Sequence, residues 1–339
     1  MKLPANEIGK IAILRALQLG DLLCAVPAFR AIRKAYPNAE ISLISLPWAK
    51  TFVDRFSNYI DRFISFPGYP GLPEQETDVD AIIDFIQKMR EEKFDLIIQM
   101  QGNGTIVNSM ITLLGSNYTA GFFIETDFCP DKELFMRYPE NIHEIERHLA
   151  LTEYLGIPAG DTTLEFPINK KDEAELAACK LPIQTGSYVC IHPGSRGSWR
   201  QWPVEYFAEV ANECSRNNKQ VVITGTKDEL EIVKQVQSLM NGNAIIAAGK
   251  TTLGAVGVLI RDAYALISNC TGVSHIAAAL KTRSIVISMD GEPGRWAPLN
   301  KRLHKTIDWT TTPSFEKVFS EVKWLLQQPA NSNSQELVA

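Results

Sequence analysis

Residues 11–36 read IAILRALQLGDLLCAVPAFRAIRKAY. The opening IAILRAL is a continuous Ile- and Leu-rich run, the pattern of a strand buried on both faces. Gly20 and Asp21 interrupt it, and apolar residues then recur at helical spacing through LLCAVPAFRAIRKAY. A buried strand, a tight Gly-Asp turn and an amphipathic helix form the first part of a βαβ unit. The same rhythm repeats outward. ISLIS (41–45), RFISF (62–66), DLIIQM (95–100) and YTAGFF (118–123) alternate with helices from about Pro47, near 80–91, from about Thr105 and around 143–155. Five strands with crossover helices predict a parallel sheet wound on both faces.

Pro158, Gly160, Pro167, Pro182 and Gly186 break the pattern. A second series follows, with strands at SYVCIH (187–192), QVVITG (220–225), AIIAA (244–248), YALIS (264–268) and SIVIS (284–288). The expected organisation is therefore an N-terminal Rossmann-like domain over 1–165, a connection over 166–186 and a C-terminal Rossmann-like domain over 187–312. A C-terminal helix over 313–327 and a flexible tail over 328–339 complete it. In such an α/β chain, two parallel-sheet domains face each other across a cleft. Ligands bind where strands hand over to helices.

Composition sets the limits. The length of 339 residues suits two domains. With 45% apolar and 22% charged residues the chain is that of a globular protein. No apolar run reaches a membrane-spanning length, and MKLPANEIGK lacks an apolar signal core, so a cytoplasmic location is expected. Six scattered cysteines without a CxxC pair suit a reducing compartment and predict neither disulfide nor zinc. A net charge of −5 gives no pull toward nucleic acid. Arg30, Arg33 and Lys34 stand at helical spacing after Asp21, either as a solvated helix face or as a basic rim for an anionic acceptor.

Four motifs are decoys. AGKTTL (248–253) has Ala244 where a P-loop needs glycine. His143 and His148 are five residues apart, about 140° around a helix, and cannot share a zinc ion. Asp78-Val79-Asp80 fits the acidic first turn of a helix. GNG (102–104) lacks the third glycine of a dinucleotide fingerprint. No metal site is predicted.

The strand-end junctions remain. Asp21 can cap its helix or face the cleft as a general base. In IHPGSRGSWRQWP (191–203), small residues including Ser195 admit an anion to backbone amides, and Arg196 and Arg200 can neutralise it. In NCTGVSH (269–275), Thr271 can cap, Gly272 permits close approach and the following amides point at a ligand. His275 there is a candidate diphosphate contact. TGTKDE (224–229) and GKT (249–251) either line a nucleoside pocket, with an acid on the ribose hydroxyls, or are ordinary turns.

Four segments in order carry a resemblance over about residues 10–300: residues 13–43, IHPGSRGSWRQWPVEYFAEVA (191–211), VITGTKDEL (222–230) and ISNCTGVSHIAAAL (267–280). They resemble glycosyltransferase family 9, the heptosyltransferase-type enzymes of lipopolysaccharide assembly, which have the GT-B fold. The resemblance implies that Asp21 is the base deprotonating the acceptor hydroxyl and that Arg200, usually lysine in the family, contacts the donor phosphates. Ser195 matches the serine or threonine earlier in that loop. Cys270, Thr271, Gly272 and His275 would hold the diphosphate and sugar, Asp228 or Glu229 would supply the ribose acid, and Thr251 would border adenine. The family commonly has aspartate where this chain has Cys270, and a neutral thiol does not accept hydrogen bonds as a carboxylate does.

The implied function is inverting, metal-independent transfer of a heptose-like sugar from an ADP-sugar to a lipopolysaccharide core or related lipid-linked saccharide. The donor would bind the second domain. The acceptor would bind the first, on Arg30, Arg33 and Lys34. The expected partners are the nucleotide-sugar donor and the lipid-linked acceptor, with peripheral contact at the inner membrane, no nucleic acid and no separate cofactor. Two alternatives stand beside it: a non-catalytic nucleotide-sugar or glycan-binding protein, and a GT-B nucleotide-sugar epimerase.

Overall fold

The computed structural model describes residues 1–158 and 160–329. They divide into two units, Met1–Thr163 and Leu164 onward. The first unit runs β1 (Lys10–Leu14), α1 (Leu19–Ala35), β2 (Glu40–Ser45), α2 (Lys50–Arg55), β3 (Arg62–Ser65), α3 (Val79–Glu92), β4 (Leu96–Gln99), α4 (Val107–Ile111), β5 (Tyr118–Phe123), β6 (Phe135–Arg137) and α5 (Glu144–Tyr154). Its strands lie in the order β3-β2-β1-β4-β5-β6, every pair parallel. The apolar run that opens the chain is the sheet's centre. Ile11 pairs with Ile41 on one side and Leu96 on the other, and Ile11–Leu14 are fully buried. Because both faces of a parallel sheet are covered, such strands tolerate no polar alternation.

The second unit runs α6 (Lys170–Ala178), β7 (Tyr188–His192), α7 (Val204–Arg216), β8 (Gln220–Ile223), α8 (Leu230–Leu239), β9 (Ile245–Ile246), α9 (Leu253–Arg261), β10 (Ala265–Asn269), α10 (Gly272–Ala279), β11 (Ser284–Ser288), α11 (Pro293–Trp296), β12 (His304–Asp308) and α12 (Phe315–Leu326). Its strand order is β12-β11-β10-β7-β8-β9, again parallel. Trp202 anchors the core, buried and edge-on to Phe207 and Trp309 at 5.1 and 5.5 Å between ring centres. Val318, Val322 and Leu325 of α12 close the same core. Each sheet is a Rossmann-like layer with helices on its faces.

Two features differ from expectation. Each sheet has a sixth strand, β6 and β12, at an edge. The segment 166–186 is no bare connection. It contains α6, opened by a capping box in which Asn169 Oδ1 accepts from Asp172 N at 3.1 Å and Asp172 Oδ2 accepts from Asn169 N at 3.0 Å. It belongs to the second unit, where the Phe166 ring lies so close over Gly257 that a Cβ there would sit 2.3 Å from the ring. Of the expected tail, residues 330–339 lie outside the described residues. No described helix is long and apolar enough to cross a membrane.

Candidate functional site

In the first unit the junction after β1 is built around a buried cation. Arg15 follows the strand directly and is fully buried. Its Nε donates to the Asp21 carbonyl at 2.9 Å and its Nη1 to the Met100 carbonyl at 2.7 Å. Its Nη2 donates to Glu144 Oε1 at 3.1 Å and stands 3.9 Å from Asp21 Oδ1. Asp21 is not the helix cap. Gln18 holds that position without a side-chain bond, and Asp21 lies inside the first turn of α1, where a carboxylate suits the helix dipole. Its side chain is 24% exposed, open enough to meet a ligand at the carboxyl end of β1.

Arg30, Arg33 and Lys34 lie elsewhere. At 1.5 Å per residue they are roughly 13–20 Å from Asp21 along α1, toward the amino edge of the sheet. Arg30 donates to the Asp161 carboxylate at 2.8 Å and to the Thr163 carbonyl at 3.2 Å. Arg33 pairs with Asp61 and donates to the Ala39 carbonyl at 2.7 Å, ahead of β2. Both arginines fasten α1 to neighbouring loops, and Lys34 is exposed beside them. As a basic rim for an acceptor, these residues would meet it well away from Asp21, with Arg30 and Arg33 already paired to acids of their own unit.

The second unit gathers most of its predicted residues on one edge. Since β10, β7 and β8 are adjacent, the loops leaving their carboxyl ends are adjacent too. Asn269 joins two of them: its Nδ2 donates to the Pro193 carbonyl at 2.7 Å and its Oδ1 accepts from Trp202 N at 2.9 Å. Ser195 is buried within the loop so fixed. Glu229 joins the third. Its carboxylate lies directly on Gly194, where a Cβ would come within 2.1 Å of Oε1, and its Oε2 accepts from Thr226 N at 2.7 Å and from the Thr226 hydroxyl at 3.1 Å. Glu229 Oε2 also stands 3.8 Å from His192 Nε2. Burial pulls the His192 imidazole below its usual range, partly opposed by Glu229.

Arg200 ends a short 3₁₀ turn, Ser198–Arg200. Its Nη2 donates to the Asp290 carboxylate and to the Cys270 carbonyl at 3.4 Å, which sets the guanidinium beside the start of α10. Asp290 is itself fixed, its Oδ1 accepting from the Ser288 hydroxyl at 2.8 Å. Thr271 occupies the cap position of α10, but its side chain makes no capping bond, and Gly272 begins the helix. Burial pushes the Cys270 thiol up to about 12, with Asp290 adding and Arg200 opposing, so it is a neutral thiol at physiological pH. His275 is buried with its ring edge toward Trp296 at 6.5 Å. Arg196 and Asp228 are exposed, and Thr251 is half-buried one residue before Thr252, whose Oγ1 caps α9 by accepting from Ala255 N at 3.1 Å.

Arg15, Glu144 and Asp290 are the contributors that the sequence reading missed, and Asn269, the first residue of NCTGVSH, was given no role. Arg15 carried a signal, a lone charge in a strand run, and Asp290 stands where SIVIS hands over to a loop. The decoys resolve structurally. Asp78 caps α3, its Oδ1 accepting from Asp80 N at 3.0 Å and from Ala81 N at 3.2 Å. Nδ1 of His143 accepts from Ile145 N at 3.2 Å as the cap of α5. Among the described residues no three His, Cys, Asp or Glu side chains converge to hold a metal. A cavity of about 660 Å³ in the first unit lies beside α3, lined by Lys10, Arg62 and Glu92 and by none of the predicted site residues. Hydrogen bonds from Arg62 and Lys10 hold Glu92 down to about 2, so its charges neutralise one another.

Known proteins share this architecture. The lipopolysaccharide core heptosyltransferase OpsX of Haemophilus influenzae is 26% identical over 325 residues, covering 93% of this chain and 89% of that protein. The structure of a family 9 glycosyl transferase from Veillonella parvula matches with a TM-score of 0.79 at 19% identity, over 96% of this chain and 98% of that one. The E. coli heptosyltransferase WaaC with ADP matches with a TM-score of 0.66 at 17% identity, over 93% and 99%. The fold is thus GT-B. The model of glycosyltransferase family 9 (heptosyltransferase) matches residues 82–325, which takes in strands of both sheets and every loop of the second unit's site, and the chain belongs to that family.

Proposed function

We propose that this protein transfers a heptose-like sugar, with inversion, from an ADP-sugar to a lipopolysaccharide core or related lipid-linked saccharide. The observation that carries the proposal is the setting of Arg200 beside the start of α10, a helix whose first amides receive no side-chain cap. Such amides favour an anion, and a guanidinium beside them suits a diphosphate. The relatives' names supply the sugar and acceptor classes, and the ADP of the matched E. coli structure supplies the nucleotide.

In this scheme Asp21 accepts the proton of the acceptor hydroxyl as its oxygen bonds to the anomeric carbon. The bond from that carbon to the diphosphate breaks on the opposite face, and ADP leaves with the electron pair. Arg200 and the α10 amides stabilise the charge that builds on the diphosphate, a task assigned here to protein groups rather than a metal ion. Ser195, Arg196 and the Thr271–His275 turn line the donor, Asp228 or Glu229 meets the ribose, and Thr251 borders the base. Cys270 offers the sugar a neutral, weakly polar contact. The acceptor binds near Asp21 rather than at the far end of α1. A lipid-linked acceptor places the work at the cytoplasmic face of the inner membrane.

Asp21→Ala tests the scheme. ADP release that requires both donor and acceptor should fall by about 10²–10⁴. ADP binding by calorimetry should be unchanged. Undiminished transfer removes Asp21 from its role. A new sugar formed without acceptor, or donor binding with no turnover in the wild type, favours the epimerase or the non-catalytic alternative.

A further inference from the structure

Helix α5 carries a charged cluster into the interior of the first unit. Glu144, Arg147 and His148 are buried on it, as is Arg15. The Glu144 carboxylate is the hub. Oε1 accepts from Arg15 Nη2 at 3.1 Å and lies 3.2 Å from His148 Nε2, while Oε2 accepts from Arg147 Nη1. Arg147 is tied in place by Nε on the Pro139 carbonyl at 3.0 Å and Nη2 on the Glu140 carbonyl at 2.9 Å. Burial and the Arg15 charge pull the His148 imidazole down to about 4, so it is neutral at physiological pH. His143 accepts a backbone bond through Nδ1. On the strand side Arg15 meets backbone carbonyls, and Gln101 Oε1 accepts from Ala16 N at 2.7 Å, so that side adds no charge.

Among the described residues, the Arg15 and Arg147 guanidiniums both meet the Glu144 carboxylate on the buried side, and Asp21 Oδ1 stands 3.9 Å from the same Arg15 Nη2. Both carboxylates lie within 4 Å of one buried guanidinium nitrogen, so cluster and Asp21 form one electrostatic unit.

We propose that Glu144 is a positioning residue for Asp21: by holding Arg15 through Nη2, it fixes where that guanidinium stands and how much of its charge falls on Asp21. The inference rests on the proposed base role of Asp21. With Glu144 ionised, Arg15 is shared between two carboxylates. With Glu144 neutral, the full charge acts on Asp21 and makes it a weaker base.

Glu144→Gln tests this in transfer assays across pH. The acid limb of the kcat/KM profile should move down by about one pH unit. Plateau kcat should fall roughly threefold, as for a base weakened by one unit, with the donor KM unchanged. Glu144→Asp keeps the charge and should return the limb toward the wild-type position. An unmoved limb in a folded Glu144→Gln protein overturns the proposal, while Asp21→Ala, still inactive, leaves the base role intact. Should Glu144→Gln not fold, carboxyl-¹³C NMR of the wild type decides. Coupled titrations of Glu144 and Asp21 are expected, and two independent single-step curves overturn the proposal. That measurement needs no turnover, so it separates this inference from the transfer reaction.

Discussion

The space a side chain at position 194 would need is filled by the Glu229 carboxylate. A methyl group at 194 would lie 2.1 Å from Glu229 Oε1 and 2.2 Å from its carboxylate carbon, where ordinary contact begins at 3.4 Å. Gly194 does not have positive φ, so alanine strains no backbone there and the clash alone acts. In Gly194→Ala the carboxylate must move by about 1.3 Å, enough to break its bonds to Thr226 N at 2.7 Å and to the Thr226 hydroxyl at 3.1 Å. The carboxylate is the far end of a flexible side chain and water replaces part of what it loses, so the two exposed bonds predict a loss of about 1 kcal/mol in unfolding free energy. If the displaced Glu229 also meets the ribose, ADP affinity drops about tenfold, equivalent to about 1.4 kcal/mol. Urea unfolding and calorimetric titration with ADP measure both quantities, and the decisive comparison is a double-mutant cycle. In a Glu229→Ala background the methyl group meets no carboxylate, and Gly194→Ala should then cost less than about 0.5 kcal/mol. An equal cost in both backgrounds refutes the idea that this glycine exists to seat Glu229.

Two further outcomes follow from charged contacts. Asp290→Asn removes the anion that tethers Arg200 while keeping an acceptor for the Ser288 hydroxyl, so transfer should fall about tenfold through lost positioning. ADP affinity should change less than threefold, because loss of a tether and loss of a repelling charge oppose each other; isothermal titration beside steady-state kinetics checks it. His148 is held down to about 4 in the folded chain against an unperturbed 6.5. The unfolded chain therefore takes up its proton first on acidification, and this contribution to stability is complete above pH 6.5 and lost as pH falls toward about 4. The loss is about 3 kcal/mol. His148→Gln should flatten this part of the stability–pH curve, measured by urea unfolding at successive pH values, and an unchanged slope removes His148 as its source.

What the sequence reveals, and what it conceals, follows from the range of the interactions involved. The strand–helix alternation is legible because strands such as Ile11–Leu14 are buried on both faces and must be apolar throughout. The edge strand β12, HKTID, is only partly buried and keeps charged residues, so it carries no such run. Helix α6, KKDEAELAA, buries only Asp172 and has no apolar stripe, so flanking prolines make it look like a linker. The site divides along the same line. The local residues Ser195, Arg200, Thr271 and Gly272 declare themselves by standing where strands end. Their supports do not: Arg15 finds Glu144 at a separation of 129 residues and Arg200 finds Asp290 at 90, pairings set by tertiary structure alone. Arg30 and Arg33 show the converse. Helical spacing puts their charges on a common face, yet α1 runs from the carboxyl edge of the sheet back to the amino edge, and their partners Asp161 and Asp61 wait there. In a βα unit, then, a charge in the first turn of a helix is a candidate for chemistry, and the same charge three turns later is a candidate for anchoring.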